Sequence, residues 1–239
     1  MSYIYLKKKS KAVPAKIKRR RLLAAGFVFL GLTFLSLAVF PIVKFQLSYS
    51  TRLKQIIDPL SAESYDQPSI LGQSATDYTQ LSNWFINSPE LPNLSSQTID
   101  TSISSYYLTI PKLKINRALV TLGSMDLEKS LIHYPQTALP GHFGNTVIFG
   151  HSVLPQFFSP KNYLTIFSTL FKLNQGDEII LEYDKSTYKY IVEEMFEVKP
   201  TNLSVLDQRF DDKTLTLITC SPPGTYLRRL IIKASLGNN

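Results

Sequence analysis

The feature that most constrains this chain is an uncharged apolar run, residues 22–43, placed directly behind a strongly basic arm. Twenty-two helical residues reach roughly 33 Å, which matches a hydrocarbon core of roughly 30 Å. Pro41 lies near the end of the run, where a helix tolerates it. A cleaved signal peptide has a shorter apolar region ending in small residues. Phe40-Pro41-Ile42 offers no such site, so the run reads as a retained transmembrane helix. Basic residues stay on the cytoplasmic side, which directs the rest of the chain outward.

The same arm accounts for the charge. The whole chain carries +8, and nine of its basic residues stand in the first 21 positions with no acid among them, leaving −1 for the remainder. Basicity confined to a juxtamembrane tail argues against a nucleic-acid-binding domain. The chain has one cysteine, Cys220, so no internal disulfide is available to an exported domain.

Four segments follow from this reading: a basic cytoplasmic arm at 1–21, the transmembrane helix at 22–43, an extracellular stalk at 44–104 and a catalytic domain at 105–239. The stalk is rich in Ser, Gln, Asn and Thr. Within it, Tyr78, Leu81, Trp84 and Phe85 share a face if residues 76–85 are helical. Beyond Tyr106 the texture turns to short alternating segments. Strands are expected at 107–110, 118–120, 145–151, 178–183, 187–198, 214–220 and 229–234, with a hairpin turn at Asp184-Lys185-Ser186. Short helices are expected at 125–132 and 163–171. Many strands and few helices indicate a mainly β sandwich or closed barrel.

Two strand ends carry chemistry. One segment, Asn145-Thr146-Val147-Ile148-Phe149-Gly150, leads into His151; another, Thr214-Leu215-Thr216-Leu217-Ile218-Thr219, leads into Cys220. Ser221-Pro222-Pro223-Gly224 then breaks the strand, which puts Cys220 at a rim that a substrate can reach. Acyl transfer by a thiol needs a thiolate, a proton donor for the leaving amine and a donor for the oxyanion. Cys220, His151 and one of Arg228 and Arg229 supply these. His133, at the end of an expected helix, reads as a surface residue, and His142 as a loop residue near the site. One Cys and three His at these spacings make no metal site, and no cofactor is implied.

The strand ending in Leu217-Ile218-Thr219-Cys220 resembles the sortase signature. Ala138-Leu139-Pro140-Gly141, Gly144-Asn145 and Gly150-His151 resemble that family's histidine region. Leu108-Thr109-Ile110-Pro111 resembles its first strand, and Val198-Lys199-Pro200-Thr201 its connection between the sixth and seventh. The likeness runs from about Tyr106 to Leu236 and is nearest to class D and E sortases. It implies an eight-stranded sortase-type β-barrel with short helices behind one N-terminal transmembrane helix. It also implies a cysteine transpeptidase in which Cys220 is the nucleophile, His151 the general acid and Arg229 the oxyanion donor, with Thr219 and Asn145 as substrate contacts. Arg229-Leu230-Ile231-Ile232 fits the family's arginine better than Arg228, which alternates in phase with Leu230, Ile232 and Ala234.

The partners so implied are exported proteins with a C-terminal Leu-Pro-x-Thr-Gly-like sorting signal, an amine acceptor (a peptidoglycan precursor or a pilin lysine) and the membrane. Some sortases bind calcium through carboxylates, but residues 135–149 contain no acid and Gln208 stands where a glutamate could serve. Pilus-building sortases often carry an Asp-Pro-aromatic lid and a second anchor. Asp58-Pro59-Leu60 is a partial echo of the lid, and the early chain end gives no second anchor. An anchoring enzyme is therefore expected, with a pilin polymerase and an inactive membrane-tethered binding module as alternatives. A cell-wall L,D-transpeptidase would place His beside Cys in sequence, and here 69 positions separate them.

Overall fold

The structure is a computed structural model, and it describes residues 15–52, Gln80, Leu81, Trp84 and residues 104–237. Two units are described in turn, the first ending at Arg52 and the second beginning at Leu53. The first is one long helix, α1, Ala15–Arg52. Residues Leu23–Lys44 within it are long and apolar enough to cross a membrane, with a mean hydropathy of 2.3. The helix continues through Pro41 and outlasts the apolar run at both ends. Asp58-Pro59-Leu60, Tyr78 and Phe85 lie outside the described residues.

The second unit is a closed barrel of eight strands: β1 Ser105–Ile110, β2 Ile115–Leu122, β3 Leu131–His133, β4 Gly144–Phe149, β5 Glu178–Tyr183, β6 Ser186–Val198, β7 Lys213–Ser221 and β8 Arg228–Leu236. Around the barrel they run β1-β2-β3-β4-β7-β8-β6-β5. The expected mainly β barrel is therefore observed. The β5–β6 hairpin turns on Asp184 and Lys185, both with positive φ, as a two-residue turn matched to strand twist requires.

Alternation divides the side chains into two apolar clusters. Leu108, Leu181, Leu215, Leu217, Leu230 and Ile232 fill the interior. Their sequence neighbours Ile218, Cys220 and Ile231 join Ile132, Val147 and Phe149 in a second cluster on the other face. That face is covered by Leu81, Trp84 and Val205, so both faces of β4 and β7 are buried.

Two expected helices are absent. Residues 125–132 form a turn, in which the Asp126 carboxylate accepts the Glu128 N–H, followed by β3. Leu131, Ile132 and His133 are all buried because β3 lies between β2 and β4. Residues 163–171 form successive tight turns with i→i−3 bonds, among them Thr165 to Asn162 and Ser168 to Thr165, ending in a 3-10 turn at Leu170–Lys172. The spacing of their apolar residues is met without an α-helix.

Candidate active site

β4 and β7 pair in parallel, with Phe149 opposite Ile218. Three bonds carry that register past the end of β4. The Gly150 N–H donates to the Ile218 carbonyl at 3.2 Å, the Thr219 hydroxyl donates to the Gly150 carbonyl at 2.7 Å, and the Ser152 hydroxyl donates to the Cys220 carbonyl at 2.9 Å. His151, between Gly150 and Ser152, is thereby held level with Cys220. The offset between His151 and Cys220 is the offset of the β4–β7 ladder itself. Gly150 has no alternative here, since a Cβ would meet the side chains of Leu131 and Phe167 at 2.5 Å.

β7 and β8 pair without a bulge from Thr214↔Ser235 to Ser221↔Arg228, which sets Cys220 opposite Arg229. Directly opposed residues of an antiparallel pair share a face. Arg229 therefore lies on the Cys220 face and Arg228 on the other. Arg228 is half-buried, and its Nη1 is buried with no hydrogen-bond partner.

The site is covered. Trp84 is fully buried, its ring 5.7 Å from that of His151 and 5.4 Å from that of Phe149. Its carbonyl accepts from Arg229 Nε at 3.0 Å and from Nη2 at 2.5 Å, while Arg229 Nη1 donates to the Tyr226 and Arg228 carbonyls. The guanidinium also lies 5.4 Å from the Trp84 ring centre, within cation–π range. The covering segment is tied down by the Leu81 N–H to the Met125 carbonyl and by a bridge between Gln80 and Asp126. Cys220 and Arg229 are each only 1% exposed. The strand-end position expected for Cys220 is observed; the open rim is not, because Trp84 covers it.

Burial pushes the Cys220 thiol up to about 11, against the opposing pull of the Arg229 charge. Burial at this position thus favours the thiol over the thiolate at neutral pH.

The other expected site residues lie elsewhere. Thr219 is fully buried and its hydroxyl is committed to Gly150. Asn145 sits at the opposite end of β4 from His151, its side chain bonded to the Val205 carbonyl and the Thr216 hydroxyl. His133 is a buried strand residue, contrary to expectation; its Nδ1 meets the Tyr106 hydroxyl at 2.9 Å. His142 is exposed. Among the described residues no cluster of three His, Cys, Asp or Glu is placed to hold a metal ion. Sequence reading missed Ser152 and placed Trp84 on a stalk face with Leu81 but not at the site; the signal for the latter was that it is the only tryptophan.

An eight-stranded barrel that gathers a cysteine, a histidine and an arginine from β7, the end of β4 and β8 has the layout of a cysteine acyl-transfer enzyme. A family model described as the sortase domain matches residues 108–237, and the chain belongs to the sortase family. Sortases as a family are cysteine transpeptidases. The chain is 24% identical over 191 residues to sortase A of Bacillus anthracis, covering 77% of this chain and 86% of that protein. It is 27% identical over 133 residues to sortase D of Bacillus subtilis, covering 54% and 61%. Among solved structures it is similar to a pilus-related sortase C of Group B Streptococcus, with a TM-score of 0.50 and 29% identity, covering 58% of this chain and 70% of that one.

Proposed function

We propose that the protein is a membrane-anchored transpeptidase acting on exported proteins outside the cell. The Cys220 thiolate attacks the scissile carbonyl, and Arg229 donates to the oxyanion. His151 protonates the leaving amine as the thioester forms. An acceptor amine then attacks the thioester, giving its proton back to His151, and the thiolate is released as the amide forms. The observation that carries this reading is the convergence of His151 and Arg229 on Cys220 through two strand registers. Residues 1–21 are the cytoplasmic arm, residues 22–43 the anchor, residues 44–104 the stalk and residues 105–239 the catalytic domain. The apolar helix supports the anchoring. The stalk does more than space the domain, since its Trp84 packs on the barrel.

The substrate is a Leu-Pro-x-Thr-Gly-like sorting signal cut between Thr and Gly, and the acceptor is a cell-wall amine. The test is mass spectrometry of a sorting-signal peptide library incubated with the full-length protein in detergent and an amine acceptor. Acyl-transfer products that vanish in Cys220→Ala are expected. No cleavage of any Leu-Pro-x-Thr, -Ala or -Ser peptide, with or without Trp84→Ala, would sink this reading.

The cover over Cys220 favours one second reading, a pilin polymerase, because a lid is a feature of pilus-building sortases. Offering a pilin lysine and a peptidoglycan-type amine in competition separates the two. Failure of a substrate-mimicking electrophile to label Cys220 in Trp84→Ala would favour an inactive binding module.

A further inference from the structure

The connection between β6 and β7, residues 199–212, walls the apolar face on which Cys220 lies. Val205 is buried in the same cluster as Cys220, Ile231 and Trp84, with Leu203 and Leu206 packed at its edge. Something must hold this loop against β4, because β3 is short. On β4 it pairs only with Ile148 and Phe149, and the Tyr134 N–H to the Val147 carbonyl extends that edge by one step. At Asn145, among the described residues, no strand lies beside the outward N–H and C=O; the carbonyl accepts one backbone donor, the Ala138 N–H at 3.2 Å, and the N–H has none on that side.

Gln208 takes the strand's place. Its Oε1 accepts the Asn145 N–H at 3.0 Å and the Ala138 N–H at 3.2 Å, and its Nε2 donates to the Asn145 carbonyl at 3.0 Å and the Leu206 carbonyl at 3.1 Å. One side-chain amide thus pairs with both backbone groups of Asn145, as a neighbouring peptide unit would. Asn145 returns the contact, its Nδ2 donating to the Val205 carbonyl at 3.2 Å. The approach depends on Gly144, where φ is +120° and a Cβ would stand 3.0 Å from Gln208 Oε1 and 2.8 Å from the Ala138 Cβ.

We propose that Gln208, with Asn145, is a positioning residue that fixes the β6–β7 loop as the wall of the substrate groove, so that Asn145 acts through the loop and does not touch substrate. The amide needs both its donor and its acceptor. A carboxylate at this position would set oxygen against the Asn145 and Leu206 carbonyls. A device of this kind joins the β3–β4 and β6–β7 connections without an ion.

The proposal rests on the sorting-signal reading for its kinetic arm only. In full-length protein, Gln208→Ala and Gln208→Glu are compared with wild type by hydrogen exchange and by peptide cleavage. Both variants are expected to exchange amides in residues 199–212 at least about tenfold faster, with the β5–β6 hairpin unchanged. KM for the cleaved peptide is expected to rise about tenfold, with kcat within about twofold. Loop exchange equal to wild type in both variants, or a fall in kcat at unchanged KM, overturns the proposal. If wild type cleaves no peptide, the substrate reading has failed, and the exchange result alone decides whether Gln208 pins the loop.

Discussion

Cys220 and Arg229 face each other across the β7–β8 ladder as a directly opposed pair, while Arg228 opposes Ser221 on the other face. Of the two, Arg229 is the one on the Cys220 face, and the proposed mechanism gives it the oxyanion. Arg229→Ala is expected to lose on the order of a hundredfold in turnover, about 3 kcal/mol. Arg228→Ala is expected to lose much less. The check is kcat/KM for both variants at equal folded fraction, and a larger loss in Arg228→Ala would move the role to that residue.

Trp84→Ala is expected to uncover the site. The substitution removes the ring that packs on His151 and on the Arg229 guanidinium, and so the side chain that anchors the backbone carbonyl bonded to Arg229. Labelling of Cys220 by a small thiol reagent, measured where circular dichroism shows the barrel still folded, should accelerate at least about tenfold. Unchanged labelling would mean that this segment does not limit access.

The pH profile of that labelling should differ between the two proteins. With Cys220 pushed up to about 11, the wild-type rate should climb through the alkaline range without a plateau below about pH 10. Uncovering restores water to the thiol and leaves the Arg229 charge beside it. The midpoint in Trp84→Ala should therefore fall, and coincident profiles would refute the assignment of the shift to burial.

Activity is expected to be indifferent to calcium. Ca²⁺ takes about six to eight oxygen ligands, several of them carboxylates, and residues 135–149 contain none. Chelator and added calcium should give equal rates; loss in chelator with recovery on calcium would contradict this.

His133 sets an acid limit on stability. Burial lowers it from the usual 6.5 to about 4. Above pH 6.5 folded and unfolded chains both carry it neutral, and its contribution is fully present. As pH falls from 6.5 towards 4 the unfolded chain gains a proton that the folded chain refuses, so stability drops, by at most about 3 kcal/mol. Denaturant melts of wild type and His133→Gln across that window should show a shallower fall in the variant.

The strands with clean alternation, the β5–β6 turn and the gathering of Cys220, His151 and Arg229 were all legible in the sequence. Each rests on local pattern or on a motif at a strand end. β3 was not legible, because Leu131, Ile132 and His133 are buried together and show no period of two. The buried state of Cys220 was not legible either, since it depends on Trp84, whose partner Arg229 lies far along the chain. Gln208 stood out only as the residue at a place where a glutamate could serve; its pairing with Asn145 was not legible, because the groups it binds are backbone N–H and C=O, which leave no residue pattern to match.

The strand order sets the time at which this protein can become chemically competent. β7 and β8 enter between β4 and β6, so the hairpin bearing both Cys220 and Arg229 is the piece that closes the ring. Before β7 and β8 pair, β1 to β6 can assemble only as an open sheet with two free edges. No nucleophile stands beside His151 until the hairpin arrives. The grouping of His151, Cys220 and Arg229 thus comes into being only with the last pairing of the barrel.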